Sequence, residues 1–448
     1  MIDVSSRIKA AFRNDSMFKH YFIDFLPPAG TEDEEYYETL TNDDLTAESM
    51  QITETLCSEE QLHYGRCESC YVDFEMLNLY ESLNGAVFDL YLQLGDYDDE
   101  ILWIGRYIVD GETVSNDKKT SQITAYDAMY LLRDLDLTAI YYEEFNFPMT
   151  LKQIRDKVFE EVGQDQEEID LINDDIVIPE DPFAGSNAIT FAMIMEPICE
   201  VNGVFGHIGR DAKFHYVSLD AVDSEETYPS SDTFPSKNTF PKSVRSKYYN
   251  YPKSLCKSDM WWENYRCQEV DRVQARNKDG TVLAEYAIEG RESGTNIYVI
   301  QDNWVMYEVD ISSVQTMIKR FAEKIRKVAY TPVEIETKMD LSMEVGDGIS
   351  FITTDNQRIS TYILQRTMNG IHSAFDSIIS EGPEEFVNST PNTDGSISEL
   401  QDQLNELSDR VDDIGSSYSN IRIISTNALP ASPEKNVLYL IQGTVYVS

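Results

Sequence analysis

Between Ile397 and Ile414, apolar residues recur at Ile397, Leu400, Leu404, Leu407, Val411 and Ile414, with spacings that alternate between three and four. Every a and d position of a heptad is therefore apolar, while Ser398, Glu399, Gln401, Asp402, Gln403, Asn405, Glu406, Asp409 and Arg410 are polar. A helix with one such narrow stripe buries it against a partner helix. A segment of about two and a half heptads is too short to hold an oligomer alone. The stripe thus predicts a stalk that continues an assembly built by something larger. The Pro-, Ser-, Thr-, Asn- and Gly-containing stretch from Asn388 to Ser396 reads as a linker, which argues against a surface helix packed on its own domain. The chain divides into a large body, a short stalk and a small tip.

The 448 residues suffice for about three domains. With 42% hydrophobic and 11% aromatic residues, they can bury sizeable cores. The formal net charge is −44, from 80 acidic against 36 basic residues. That balance excludes stable nucleic-acid binding, which requires cations to neutralise phosphates, and it disfavours an anionic membrane surface. An acidic surface suits a conduit through which DNA slides without sticking, although plain solubility explains it equally well. Asp3, Arg7, Lys9, Arg13, Asp15 and Lys19 leave Met1–Phe22 without the apolar core of a signal peptide. The most apolar stretch, Ala188–Phe205, is interrupted by Glu196, Pro197 and Glu200, so no membrane anchor is expected. The six cysteines do not make a disulfide framework in a chain of this length. Cys57, His63, Cys67 and Cys70 contain the donor types of a zinc site. Val72 and Phe74 alternate with Tyr71 and Asp73 as in a strand, which would point Cys67 and Cys70 to opposite faces. Reduced structural cysteines are therefore expected, with no metal and no cofactor.

Periodicity predicts a short helix or arm over residues 4–12 and a strand over His20–Leu26, then an acidic loop from Thr31 to Asp44. Strand-like runs follow at Met50–Leu56, Tyr71–Leu77, Ala86–Leu94 and Ile101–Val109, spaced as in a small antiparallel barrel or sandwich. Ile123–Leu135 reads as helical, with Asp127 near its start. Thr150–Val162 reads as a helix with Thr150 as N-cap, Gln153 completing a capping box and Gly163 as stop. Ser186 is expected to cap a helix running to about Asn202. Phe205–Ile208 and Lys213–Leu219 flank a turn at Gly209–Ala212, a hairpin. After a Ser-, Pro-, Thr- and Asp-rich link over residues 220–242, a second β-rich stretch extends to Asp310, with a turn at Asp279–Gly280. Ile311–Val328 reads as a helix presenting Val314, Ile318, Phe321, Ile325 and Val328 on one face. Strands resume at Val333–Met339, Ile349–Thr353 and Thr361–Thr367, with a turn at Gly346–Gly348. The fold class is mainly β with α (α+β), two β-rich units flanking a mixed segment as in a duplicated barrel. The boundaries are 1–130 for the first β unit, 131–242 for the middle and 243–387 for the second β unit. Residues 388–396 form the linker, 397–415 the coiled-coil stalk and 416–448 a small β tip.

Several phrases stand in a definite order. Ile52–Glu60 leads to Leu62-His63-Tyr64-Gly65-Arg66-Cys67-Glu68-Ser69, then Ile104-Gly105-Arg106-Tyr107 and Ile123–Ala128. Asn202-Gly203-Val204-Phe205-Gly206 leads to Arg210–Phe214, and Thr331-Pro332-Val333-Glu334, Glu344–Asp347 and Tyr362–Ile371 close the body. Over about residues 1–385 the chain resembles the hub proteins at the tail tip of long-tailed bacteriophages of Gram-positive hosts, the tail-associated or baseplate-hub family. No single phrase is specific; the order of all of them carries the likeness. The resemblance implies two hub-type β-barrels per chain, with three chains in a ring that matches a hexameric tail tube to a threefold tip. It implies a homotrimer at the virion tail tip, assembled in the host cytoplasm, that closes the tube and opens for DNA ejection. The partners it implies are a distal tail or tail-tube protein and tail-tip fibre or receptor-binding proteins. The sequence departs from the pattern at Ala212, where a Gly is usual in the hairpin turn. It departs again at Met339-Asp340-Leu341, which replaces a Gly-Asp-Pro approach to Glu344.

Two rival functions remain. A tail-associated cell-wall hydrolase needs an activated nucleophile beside a base, a held metal, or two carboxylates. The five histidines form no H-E-x-x-H and no pair at helical spacing; His207 and His215 flank the hairpin turn as possible cross-strand neighbours. Among 80 acidic residues no carboxylate pair can be preferred, and no enzyme activity is expected. Asp96, Asp98, Asp99 and Glu100 read as a solvated turn rather than a calcium loop. Trp261, Trp262 and Tyr265 read as core or interface rather than a carbohydrate platform. The other rival is a receptor-binding protein acting on the host cell surface through residues 421–448. There Leu438, Tyr439, Leu440, Val445 and Tyr446 lie in an alternating run that predicts a small hairpin, one too small to be stable alone.

Overall fold

Alternation of buried and half-buried residues builds the first part of the chain as antiparallel strands. In the computed structural model these are β1 (Lys19–Phe25), β2 (Leu40–Thr41), β3 (Gln51–Thr55), β4 (Tyr71–Met76), β5 (Val87–Leu94), β6 (Ile101–Val114) and β7 (Ser121–Tyr126). The structure describes residues 5, 7–8, 18–26, 39–46, 48–77, 83–95, 101–115, 119–219, 248–251, 260–307, 309–338, 340–353, 357–370, 375–386, 422–425, 437–441 and 444–447. The chain divides into two units, Met1–Gly395 and Ser396–Ser448. In β4, Val72, Phe74 and Met76 are buried and Tyr71, Asp73 and Glu75 half-buried. The helical reading of Ile123–Leu135 is corrected: Ile123–Tyr126 belongs to β7, in register with both β4 and β6. Asp127 then caps α1 (Ala128–Arg133) by accepting from the Met129 amide.

The middle segment continues with α2 (Thr138–Glu144), β8 (Met149–Thr150), α3 (Leu151–Val162), β9 (Val177–Ile178), α4 (Phe191–Val201) and the hairpin β10 (Phe205–Ile208)–β11 (Phe214–Val217). The capping box of α3 forms as expected, with the Thr150 hydroxyl accepting from the Gln153 amide and Gln153 reaching back to the Thr150 amide; Gly163 closes the helix at φ 69°. Thr150→Ala removes that cap and should cost about 1 kcal/mol in urea unfolding. The predicted cap at Ser186 is corrected to Thr190, whose hydroxyl accepts from the Met193 amide, while the Ser186 hydroxyl donates to the Ala188 carbonyl instead. All of Phe191–Val201 is buried, Glu196 and Glu200 included. A helix covered on every side is a core element. In the hairpin turn Ala212 adopts φ 57°, the left-handed region a Gly would occupy without strain.

The second β-rich part contains β12 (Tyr248–Tyr251), β13 (Trp261–Trp262), β14 (Arg272–Arg276), β15 (Val282–Ala287), β16 (Ile297–Gln301), a 3-10 turn at Trp304–Met306, α5 (Ile311–Ile325), β17 (Val333–Lys338), β18 (Gly348–Ile352), β19 (Arg358–Tyr362), β20 (Gln365–Asn369) and β21 (Phe375–Ser380). α5 ends three residues before the expected Val328; Val314, Ile318, Phe321 and Ile325 are buried as the periodicity requires. The single strand predicted over Thr361–Thr367 is corrected to two, because the chain breaks at Ile363–Leu364. There the Ile363 amide donates to Asp347 and its carbonyl accepts from Gly346.

That break decides the architecture. β19 stays in a three-stranded sheet ordered β12-β18-β19, whereas β20 leaves it and pairs antiparallel with β3, Gln365 opposite Thr55 and Asn369 opposite Gln51. The result is one 11-stranded sheet, ordered β13-β17-β21-β20-β3-β4-β7-β6-β5-β1-β2, with strands from both β-rich parts. Among the described residues the strand pairing closes no barrel, and the two β-rich parts share this one sheet. The core of the first part is completed by Leu341 and Met368 from the second. β14, β15 and β16 form a further sheet, against which α5 packs.

In the second unit, β22 (Arg422–Ser425) runs parallel to β23 (Val437–Ile441), which pairs antiparallel with β24 (Thr444–Val447). The expected hairpin is present, with a third strand added. The heptad residues Ile397, Leu400, Leu404, Leu407, Val411 and Ile414 lie outside the described residues, as do residues 96–100 and 220–247.

Candidate functional site at the seam of the shared sheet

Where β20 meets β3, the main-chain ladder is backed by buried charge. Glu54 on β3 accepts from Arg210 of the hairpin turn through Nε at 2.9 Å and Nη2 at 2.8 Å. Arg210 also donates to the carbonyls of Leu341 at 2.7 Å and Met343 at 3.2 Å. On β20, Arg366 is fully buried; its Nη2 donates to Asp376 of β21 at 2.6 Å and to the Asp340 carbonyl at 2.9 Å, and its Nη1 to Met343 at 2.6 Å. Arg366 also lies 3.7 Å from Glu54. Lys19 of β1 donates to the Asn369 carbonyl at 2.9 Å. Thr53 and Thr367, opposite each other in the register, share a hydroxyl contact at 3.2 Å. Two guanidiniums therefore hold the Asp340–Met343 segment, the hairpin turn and three strands in one arrangement. Planar, permanently charged forks suit such a role.

The electrostatics follow from this packing. Burial pushes the Glu54 carboxyl up, but Arg210 and Arg366 together hold it below its ordinary range. Asp376 is raised by burial against the pull of Arg366 and Lys19. The opposite outcomes reflect partner number, since Glu54 faces two guanidiniums and Asp376 one. Burial lowers Lys19 to about 8 despite Asp376 and Glu48.

A second buried cluster has the residue types of a nucleophilic site. The Cys70 thiol lies 3.9 Å from His207 Nδ1, and Asp127 accepts from the Cys70 amide at 2.9 Å. A catalytic thiol must ionise. Here burial pushes Cys70 well above its ordinary value and depresses His207, so the arrangement opposes a thiolate–imidazolium pair. Cys67 and Cys70 are both buried and precede the strand, which begins at Tyr71, so the alternation used to separate them does not reach them. Among the described residues no group of three or more His, Cys, Asp or Glu is arranged to hold a metal. His207 and His215 are directly opposite in the β10–β11 register, the cross-strand placement expected of them. Of the core or interface reading of Trp261, the core half does not hold: Trp261 is 50% exposed on β13, the end strand of the large sheet.

The segment Cys57–Cys70 is the other joint. Tyr64 is buried among Phe205, Tyr298 and Phe321, with ring centroids 5.2, 5.7 and 5.5 Å away. Its backbone amide donates to the Tyr298 hydroxyl at 3.1 Å. One loop of the first β part is thus lodged against the middle segment and the second β part. In the tip, Leu440 pairs with Val445 and Tyr439 with Tyr446, so Leu438, Leu440 and Val445 take one set of register positions and Tyr439 and Tyr446 the alternate set.

Sequence reasoning named none of the seam residues as a site. Glu54, Arg210 and Arg366 lay inside the ordered phrases, but β3 (QITET) and β20 (QRTMN) are mostly polar and Arg210 sits in a turn, so no local pattern marked their charges as buried, and Asp376 carried no signal either.

No family model matches the chain, and no curated protein matches it in sequence. Solved structures similar to it include tail proteins. One is a prophage tail protein, gp18, from Listeria monocytogenes, 14% identical, covering 87% of this chain and 99% of that one, with a TM-score of 0.46. A tail protein from Neisseria meningitidis is 8% identical, covering 80% and 95%, with a TM-score of 0.46. The 43 kDa tail protein of prophage MuSo2 from Shewanella oneidensis is 13% identical, covering 81% and 97%, also at 0.46. At scores below 0.5 these likenesses carry no argument about this chain, whose seam is read from its own geometry.

Proposed function

We propose that the chain is a structural virion protein, a homotrimeric tail-tip or baseplate hub that closes the distal tail tube and opens for DNA ejection. The observation that carries this reading is the seam: two β-rich parts share one sheet and are fastened by Glu54, Arg210, Arg366 and Asp376 into one body. The ordered phrases of residues 1–385 support it, as does a net charge of −44 that keeps a lumen from retaining DNA. Residues 397–415 serve as the stalk and 416–448 as the tip, which contacts a host surface or another tail protein. The protein has no catalytic role in this reading.

Light scattering of the purified chain tests it, with a trimer expected; a monomer overturns the reading. Leu404→Asp is expected to leave the trimer mass unchanged while making residues 421–448 more sensitive to limited proteolysis. Loss of the trimer in that variant would make the heptad, not the body, the organiser. Clearing of host peptidoglycan in a zymogram would favour the hydrolase. Deletion of residues 421–448 that abolishes cell attachment but spares the trimer would assign receptor binding to the tip.

A further inference from the structure

Glu200 lies in the last turn of α4, buried, and meets three parts of the chain. Its carboxylate accepts from the Asn303 amide group at 2.9 Å, beside the Trp304–Met306 turn, and from the Tyr298 hydroxyl on β16 at 3.5 Å. Asn303 also donates to the Pro197 carbonyl at 3.0 Å, tying the same turn to α4 a second time. From the Cys57–Cys70 segment, Gly65 packs so closely that a Cβ there would stand 2.8 Å from Glu200 Cβ and 2.6 Å from the Glu196 carbonyl oxygen. Both of these donors to the Glu200 carboxylate are neutral, and among the described residues no salt bridge to it is formed.

We propose that Glu200 is a proton-linked latch: its neutral carboxyl lets α4, the Cys57–Cys70 segment and the Trp304–Met306 turn pack as one junction, and its ionisation loosens them. A buried carboxylate is costly unless paired with a cation. The charged groups around it are already engaged. On its own helix Glu196 lies 3.9 Å from Arg66 and 3.7 Å from Arg133 of α1. From the Cys57–Cys70 segment, Arg66 and His63 are both bonded to Glu59, and burial depresses His63, so it adds little positive charge at neutral pH. Tyr298 and Asn303 face it from the second β part, and Asp302, next to Asn303 in the chain, is buried. Lys324 of α5 donates to the Asn202 carbonyl at 2.9 Å.

Burial pushes Glu200 up from 4.5 to about 7, against the opposing pull of Asn303, His63, Arg66 and Tyr298. The folded body therefore keeps a proton that the unfolded chain has lost. The stabilisation is full below 4.5 and disappears as pH rises through about 7.

Amide hydrogen exchange on the full chain, corrected for the intrinsic pH dependence, tests this. Protection at residues 62–66 and 302–306 should fall on the order of tenfold or more between about pH 5.5 and about pH 8.5. Glu200→Gln should hold that protection flat across the same range. Burial also raises Asp127 to about 7, so the Cys70 and Met129 amides that it accepts from should keep their own pH response and serve as an internal control. Tyr298→Phe removes a hydrogen bond to the charged form and should move the midpoint upward, which keeps the test available if Glu200→Gln does not fold. Flat protection in the wild type, an undiminished fall in Glu200→Gln, or an unmoved midpoint in Tyr298→Phe would overturn the latch.

Discussion

Arg366→Ala is expected to destabilise the body by about 3–5 kcal/mol, the range for removing one partner of a buried ion pair. Arg366 is 0% exposed and so is its partner Asp376, while Glu54 is 5% exposed. Without the guanidinium, Asp376 loses its hydrogen-bonded cation, and the carbonyls of Met343 and Asp340 lose theirs. Asp376, already raised by burial, would take up a proton instead of remaining charged. The cost should appear in urea unfolding as a lower midpoint with an unchanged slope, because the folded surface is the same. Asp376→Ala should cost less when Arg366 is already alanine than in the wild type, by a coupling of about 0.5–3 kcal/mol. Strict additivity in that cycle would deny that the two side chains form one unit. Replacing both with apolar residues of similar volume could recover most of the loss, since buried pairs are often matched by good packing.

Gly65→Ala should cost about 2–5 kcal/mol, combining backbone strain with overpacking. Gly65 holds φ 96°, outside the range a side chain tolerates well, and an added Cβ would sit 2.6 Å from the Glu196 carbonyl oxygen and 2.9 Å from the Glu200 amide nitrogen. Those atoms belong to the backbone of a helix buried on all sides, so the neighbour cannot swing away as a flexible side chain would. The Gly65 amide also donates to the Val204 carbonyl at 2.9 Å, so shifting the loop would break that bond. Thermal unfolding checks this against Gly163→Ala, where the added Cβ meets nothing within 4 Å and only the positive φ is strained. An equal loss in both variants would remove close packing from the explanation.

Local order was legible wherever a short-range rule acted. Thr150, Gln153 and Gly163 bracket α3 because a cap and a left-handed stop are properties of adjacent residues. Val314, Ile318, Phe321 and Ile325 share one face because helical geometry places them there. The helix expected over Ile123–Leu135 failed where cross-strand partners on β4 and β6 captured Ile123–Tyr126, which no local pattern reports. Ser186 and Thr190 are both competent caps, and the choice fell to the one adjoining the buried apolar run.

The seam was the least visible part of the candidate site. Glu54 and Arg366 are 312 positions apart, yet lie in one register. Alternation along a strand records which face is buried but not which strand lies alongside. The sequence by itself determined a β-rich body, the helices at Leu151–Val162 and Ile311–Ile325, its acidic charge, and the heptad pattern and alternating run near the end. Tertiary structure alone decided that the chain breaks at Ile363–Leu364, so that β20 joins β3 and the two β-rich parts become one sheet. A strand pairs through main-chain groups common to every residue, so its partner is chosen by the packing and buried charge of the whole body.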